Sequence, residues 1–333
     1  MVFRGGQQRT GGGGTIFCIQ DRVLEEGGRT ERKGKHTGKE KGSKLKKRTV
    51  NREKTTDREK EKGMVMSMKT ETWMEEYLKS GKRDSFLLKG AAQMAGTPEG
   101  GVYVDYLKNT EIDGKAECGS VYSFLYQKTG EKKYLEAVEA LKKEFQKDPG
   151  YQNGSRYCKL EGTVELEGMY QALPFYMECE TKYGKKEQYN HIIGQFQKVQ
   201  EKIYAAAQGL LVSDLEQVSY DMMALVDVMD CMSIEIYEQY RKLQDYYKEL
   251  LKEMQKKQEQ WSLTVKISMA YTMLKACRMG ILLKEKYAQN AMVLLEICGG
   301  QLSEETDAKT AGIFFMAYAQ EILLKKQMES LGL

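Results

Sequence analysis

From Met68 onward the apolar residues recur at three-and-four spacing instead of alternating, and only Pro98, Pro149 and Pro174 interrupt them. That period puts them on one face of an α-helix, so the pattern predicts an all-α chain. Within 132–141, Tyr134, Leu135, Val138 and Leu141 form a single stripe with lysines and glutamates opposite. Residues 205–207, 222–228, 243–254, 269–281 and 313–324 read the same way. Breaks at Asp148-Pro149-Gly150, Tyr183-Gly184-Lys185 and Cys298-Gly299-Gly300 are short, which predicts consecutive antiparallel pairs of helices.

A longer period lies beneath this one. Tyr134, Tyr189, Tyr240 and Tyr287 each open a helix after a charged turn, at intervals of 55, 51 and 47 residues. A repeat of about 50 residues holds two helices and their turns, one helical hairpin per period. Between Met68 and Leu333 there is room for five to six. That number suits a closed ring of inner and outer helices, an (α/α)6 toroid, while an open α-solenoid would show the same periodicity. A toroid surrounds a pocket, typically for a saccharide; a solenoid offers a groove to proteins.

Composition divides the chain. Residues 1–63 carry 18 of the 52 Lys and Arg but 9 of the 48 Asp and Glu, and 12 of the 32 glycines. Residues 64–333 keep 34 basic and 39 acidic groups, a net of −5. The first segment buries too little apolar surface to offset the entropy of ordering, so 1–63 is expected to be a disordered extension and 64–333 the folded domain. The extension reads either as a tether to an anionic surface or as sequence lying ahead of a later initiator, since Met64, Met66 and Met68 cluster where the composition changes. A body of net negative charge has no surplus with which to neutralise phosphates, so no nucleic-acid partner is expected.

No window approaches 18 consecutive apolar residues, and 15–19 is too short for a signal-peptide core. Hence no membrane partner and a cytoplasmic location are expected. The seven cysteines contain no CxxC pair and the two histidines, His36 and His191, are far apart. Neither a disulfide framework nor a metal site is expected, and no cofactor.

At 164–175 the sequence Val-Glu-Leu-Glu-Gly-Met-Tyr-Gln-Ala-Leu-Pro-Phe resembles the unsaturated glycuronyl hydrolases of glycoside hydrolase families 88 and 105. Those proteins carry aromatic-Leu-Asp-Gly-Leu-Tyr-Met-Ala followed by Pro-Phe. Similarity continues in order through 122–134, Gly209-Leu210-Leu211, 223–228, 268–276 and Glu285-Lys286-Tyr287 to Thr310-Ala311-Gly312-Ile313-Phe314, which looks like the family's closing turn into its last helix. The resemblance spans roughly 70–325 and implies an (α/α)6 barrel with its active site at one mouth. It implies as well that one carboxylic acid protonates the C4=C5 double bond of an unsaturated uronic acid at the end of a small pectin-type oligosaccharide, and directs water to C5.

The family's catalytic aspartate falls on Glu167, and a second, sugar-contacting aspartate near Asp113. Two departures stand out. The family's Trp-Gly-Arg-Gly-Asn-Gly-Trp segment is replaced by the shorter 215–220, and its Glu-Thr-Ser loop by 261–266. The recognisable stacking rings and uronate-binding cation go with them, which leaves Tyr170, Tyr220 and Trp261 as candidate platforms and Lys266 as a candidate cation. Three functions stay open: a divergent hydrolase using Glu167, a relative that has lost hydrolysis and binds or regulates, and an α-helical interaction scaffold. The plainer alternative for the tyrosines is packing, since at helical spacing they usually belong to a core, and for Glu167 a solvated position on a helix.

Overall fold

A computed structural model describes residues 69–98, 100–112, 116–147, 158, 160 and 164–332, all within the second of the chain's two units, Glu59–Leu333. The extension 1–63, Asp113 and the turn at 148–150 lie outside the described residues. Among those described there are twelve α-helices: α1 (69–79), α2 (Ser85–Ala95), α3 (Gly101–Asn109), α4 (Gly119–Thr129), α5 (Lys132–Lys147), α6 (Glu167–Lys182), α7 (Tyr189–Ile203), α8 (Leu215–Cys231), α9 (Tyr237–Lys256), α10 (Leu263–Arg278), α11 (Lys284–Gly299) and α12 (Ala308–Ser330).

The even-numbered helices form the inner ring and the odd-numbered ones the outer. α8 and α10 are buried on nearly every side, whereas α9 buries one stripe, Leu243, Tyr246, Tyr247, Leu250, Leu251 and Met254. That contrast is why the inner helices look apolar all round while the outer ones carry the clean amphipathic signal. Tyr134, Tyr189, Tyr240 and Tyr287 each lie within the first four residues of an outer helix, so the repeat is one hairpin per period. Around the ring α6 packs on α8, α8 on α10, α10 on α12 and α12 back onto α2. The last contact closes the ring, and the fold is an (α/α)6 toroid.

Closure depends on two glycines. A Cβ on Gly312 of α12 would fall within 3.0 Å of the Phe86 and Leu87 backbone of α2, and one on Gly90 would strike the Gly312 carbonyl. The two helices thus cross with their backbones in contact. Gly312 is no turn residue, contrary to its reading as part of a closing turn: it lies inside α12, which Asp307 caps from Oδ1 to the Thr310 N–H at 2.9 Å.

Another expectation fails at 205–207. Instead of helix, the chain makes a small antiparallel hairpin there, pairing Tyr204 with Leu210 and Ala205 with Gly209. Gly209 adopts φ +77, a left-handed conformation that ends helical propagation and suits glycine. Alanine propensity is too small to outweigh that turn.

The C-terminal half of the inner ring encloses a closed circuit of polar side chains. Gln93 Nε2 donates to Tyr271 Oη (3.0 Å), Tyr271 Oη to Asp227 Oδ1 (2.5 Å), and Lys275 Nζ bonds Asp227 (2.9 Å) and Asp230 (3.1 Å). Arg278 then joins Asp230 (2.8 Å) to Gln320 (2.8 Å), whose amide returns to Gln93 at 2.8 Å. Four inner helices are tied together at the end opposite the mouth described next. With its charges paired and its donors engaged, the circuit carries no unmet desolvation cost of the kind that singles out a reactive group.

Candidate active site

The N-terminal ends of α2, α6, α8, α10 and α12 gather at one end of the toroid, joined there by side chains. Thr264 of α10 meets Thr310 of α12 at 2.9 Å. Gln217 of α8 accepts the Leu166 N–H at 2.6 Å, supplying the cap that α6 lacks in its own sequence. That bond fixes the start of α6 and with it Glu167, the first residue of the helix. Segment 215–220, which stands where the family has its Trp- and Arg-bearing loop, has become the first turns of α8, capped by Asp214.

Glu167 is the half-exposed carboxylate of this mouth. Its Oε2 accepts from Lys309 Nζ of α12 at 2.5 Å, with the two side chains 38% and 30% exposed. Lys309 lies at 5.6 Å over the Tyr220 ring and 5.7 Å over the Phe86 ring. Burial lowers the Lys309 pKa, but its hydrogen bond to Glu167 and the charge of that group outweigh burial and raise it. Asp84 and Glu216 lie within electrostatic reach of the same pair, and Asp307 within reach of Asp84. All three are engaged by other donors. Asp84 Oδ1 accepts from Phe86 N, Asp307 Oδ1 from Thr310 N, and Glu216 Oε1 from Tyr220 Oη at 2.7 Å. Among the described residues Glu167 therefore makes the ion pair to Lys309, and the other three acids serve caps or a hydroxyl. At this exposure such a pair contributes about 1 kcal/mol or less.

The candidate platforms sit deeper. Tyr220 is fully buried beneath Lys309, and burial followed by the Glu216 carboxylate raises its hydroxyl pKa. Tyr170 stacks on Phe86 with centroids 5.2 Å apart and donates to Met316 Sδ at 3.0 Å. Trp261 is 5% exposed, and among the described residues its indole N–H meets no hydrogen-bond partner. The candidate cation Lys266, in the first turn of α10, lies within electrostatic reach of the Cys298 thiol on the outer helix α11. The cation actually present at the mouth is Lys309, which the sequence did not single out. Two cavities among the described residues lie elsewhere: one of about 260 Å³ lined in part by Lys142, Glu180 and Tyr183, the other beside Trp73.

Below the mouth stands a second group that sequence reasoning passed over. Lys89 of α2 is buried, with Nζ 2.7 Å from Gln171 Oε1, 3.3 and 3.4 Å from the Gln171 and Tyr170 carbonyls, and 4.5 Å from the Tyr170 ring centroid. Pro174 lies inside α6 and cannot donate to the Tyr170 carbonyl four residues back, and Lys89 meets the oxygen left free. Burial outweighs the more distant Asp227 and lowers the Lys89 pKa to about 8. The unfolded chain, titrating near 10.5, then binds more protons than the folded one across that window, so folding stability rises with pH between about 8 and 10.5. Melts of wild type and Lys89→Met over this range should show the wild type gaining roughly 3 kcal/mol relative to the variant. A constant difference would mean that Lys89 is not held as described.

Among the described residues no three metal-ligating side chains converge, and no helix is long and apolar enough to cross a membrane. Among the described residues Cys118, Cys179, Cys277 and Cys298 are buried.

Comparison with known proteins agrees with this architecture. The toroid resembles the solved structure of a family 105 glycoside hydrolase from C. acetobutylicum ATCC 824, with TM-score 0.57 and 15% identity over 71% of this chain and 92% of that one. No curated protein matches. The sequence model described as Glycosyl Hydrolase Family 88 matches residues 66–310, most of the chain, from before α1 to the first residues of α12. The chain belongs to glycosyl hydrolase family 88.

Proposed function

We propose that the protein removes an unsaturated uronic acid from the end of a small pectin-type oligosaccharide, with Glu167 as the proton donor. The observation that supports this reading most is the mouth itself, where a half-exposed carboxylate, a cation and two aromatic rings meet at the N-terminal ends of the inner helices. In the proposed reaction the Glu167 carboxyl gives its proton to C4 of the C4=C5 double bond while water adds to C5. The water's spare proton returns to the Glu167 carboxylate. The hemiketal formed at C5 opens by breaking its bond to the ring oxygen, and the hemiacetal left at C1 collapses to release the remaining sugar as an alcohol. One acid that cycles back suffices, and no cofactor is required.

In this proposal Tyr220 is the ring nearest the sugar and Asp113 a further contact, while Tyr170 and Trp261 support the mouth from within. The folded unit is 64–333, and the protein acts in the cytoplasm on a saccharide, without a nucleic-acid or membrane partner. Melts of the full chain and of one starting at Met68 should coincide.

A second reading has its own observation: Lys309 fills the space above the rings, and the segment that carries Trp and Arg in the family is here plain helix. It describes a relative that binds or regulates without hydrolysis. The test is to incubate the purified protein with unsaturated and saturated uronyl disaccharides and follow the ultraviolet absorbance of the double bond. Loss of absorbance on the unsaturated sugar supports hydrolysis. Heat of binding without that loss supports the second reading.

A further inference from the structure

The pair at the mouth has a geometry that a competing carboxylate can enter. Glu167 and Lys309 reach each other from different inner helices, both partly exposed, and Nζ stands over the Phe86 and Tyr220 rings as a sugar's substituent would need it. Lys82, just ahead of α2, is already committed to the Thr306 carbonyl at 3.0 Å. The three neighbouring acids are held by their caps and by Tyr220, so Glu167 is the ligand that can leave.

We infer that Lys309 is the uronate-binding cation of this protein and that Glu167 occupies it as an internal substitute until a sugar carboxylate takes its place. This rests on the hydrolase reading for the identity of the sugar, though not on turnover. The incoming uronate forms the charge-assisted hydrogen bond to Nζ that Glu167 gives up. Glu167 is then released beside the sugar, with Asp84 and Glu216 near the lysine it has left. The exchange thereby frees the Glu167 carboxyl only when a carboxylate-bearing sugar is present, and a neutral sugar leaves the pair closed. Specificity and release of the acid reside in one contact.

The exchange predicts a paradox that calorimetry can read on the full chain, with a saturated uronyl disaccharide, which carries the carboxylate but no double bond to hydrate, and its methyl ester as probes. Glu167→Gln removes the internal competitor, so the free acid should bind about fivefold tighter than to wild type, the factor expected when the site is open roughly a fifth of the time. Lys309→Met should weaken the free acid by about tenfold or more, and Lys309→Arg should keep most of the affinity. The methyl ester should shift by less than about twofold in all of them, since it cannot compete for a cation. Unchanged circular dichroism in the arginine variant guards against misfolding. The inference is overturned if Glu167→Gln binds the acid no tighter than wild type, or if Lys309→Met retains the wild-type affinity. It fails independently of the hydrolase reading: turnover without tightening removes the exchange alone, whereas tightening without turnover supports the exchange and removes hydrolysis.

Discussion

Gly312→Ala should destabilise the protein by about 3 kcal/mol or more, a fall in melting midpoint of roughly 6 °C or more for a domain of this size. The added methyl meets the peptide unit between Phe86 and Leu87, and a backbone cannot rotate out of the way as a flexible side chain can. α12 would have to move off α2, opening the ring where it closes. Lys309 lies one turn before Gly312, so the mouth should loosen with it and uronide binding should weaken in parallel. Gly194→Ala is the matched control. It lies inside the outer helix α7 with nothing within 4 Å of the new Cβ, and should stabilise by about 1 kcal/mol through helix propensity. Equal melts for the two variants would mean that α2 and α12 do not cross in contact.

That crossing shows where sequence reading stops. The hairpins were legible because each outer helix, α5, α7, α9 and α11, must carry a polar face to water and an apolar face to the inner ring, and its opening tyrosine repeats. Closure was not legible. A ring and an open solenoid have the same local periodicity, and the contact that distinguishes them joins Gly90 to Gly312, two residues without side chains, far apart in the chain. At 205–207 the alanines favoured helix, and the left-handed Gly209 downstream prevailed.

The site divides in the same way. Glu167 was visible through a motif within one segment, because a helix start and its acid are neighbours in sequence. Lys309 was not, since one lysine among 52 basic residues acquires meaning only when closure sets α12 beside α6. Tyr170 and Tyr220 could be read as platform or core, and their ring contacts place them under the mouth at 1% and 0% exposure. Lys89 needed both the buried face of α2 and the carbonyl that Pro174 frees on α6. Asp113 lies outside the described residues.

The second large effect concerns chemistry. Glu167→Gln should lower turnover of an unsaturated uronide by at least about 10²-fold while leaving the melting midpoint within about 1 °C, because the amide keeps shape and removes the proton to be delivered. The loss should appear in kcat, with KM unchanged or reduced, since the variant frees Lys309 for the substrate. Glu167→Asp tests the arm length. Shortened by a methylene, the carboxyl no longer reaches Lys309 at its present 2.5 Å, and a displacement of about 1 Å at the reacting group is enough to cost roughly 10²-fold if the mouth is built around glutamate.

The claim that Glu167 delivers a proton to C4 is tested most directly by running the reaction in deuterium oxide and reading the product by proton NMR. Wild-type protein should place one deuterium at C4 of the released uronic acid, and Glu167→Gln should form no such product above the uncatalysed background. Full-rate, deuterium-labelled product from Glu167→Gln would contradict the account, since another group would then be the acid.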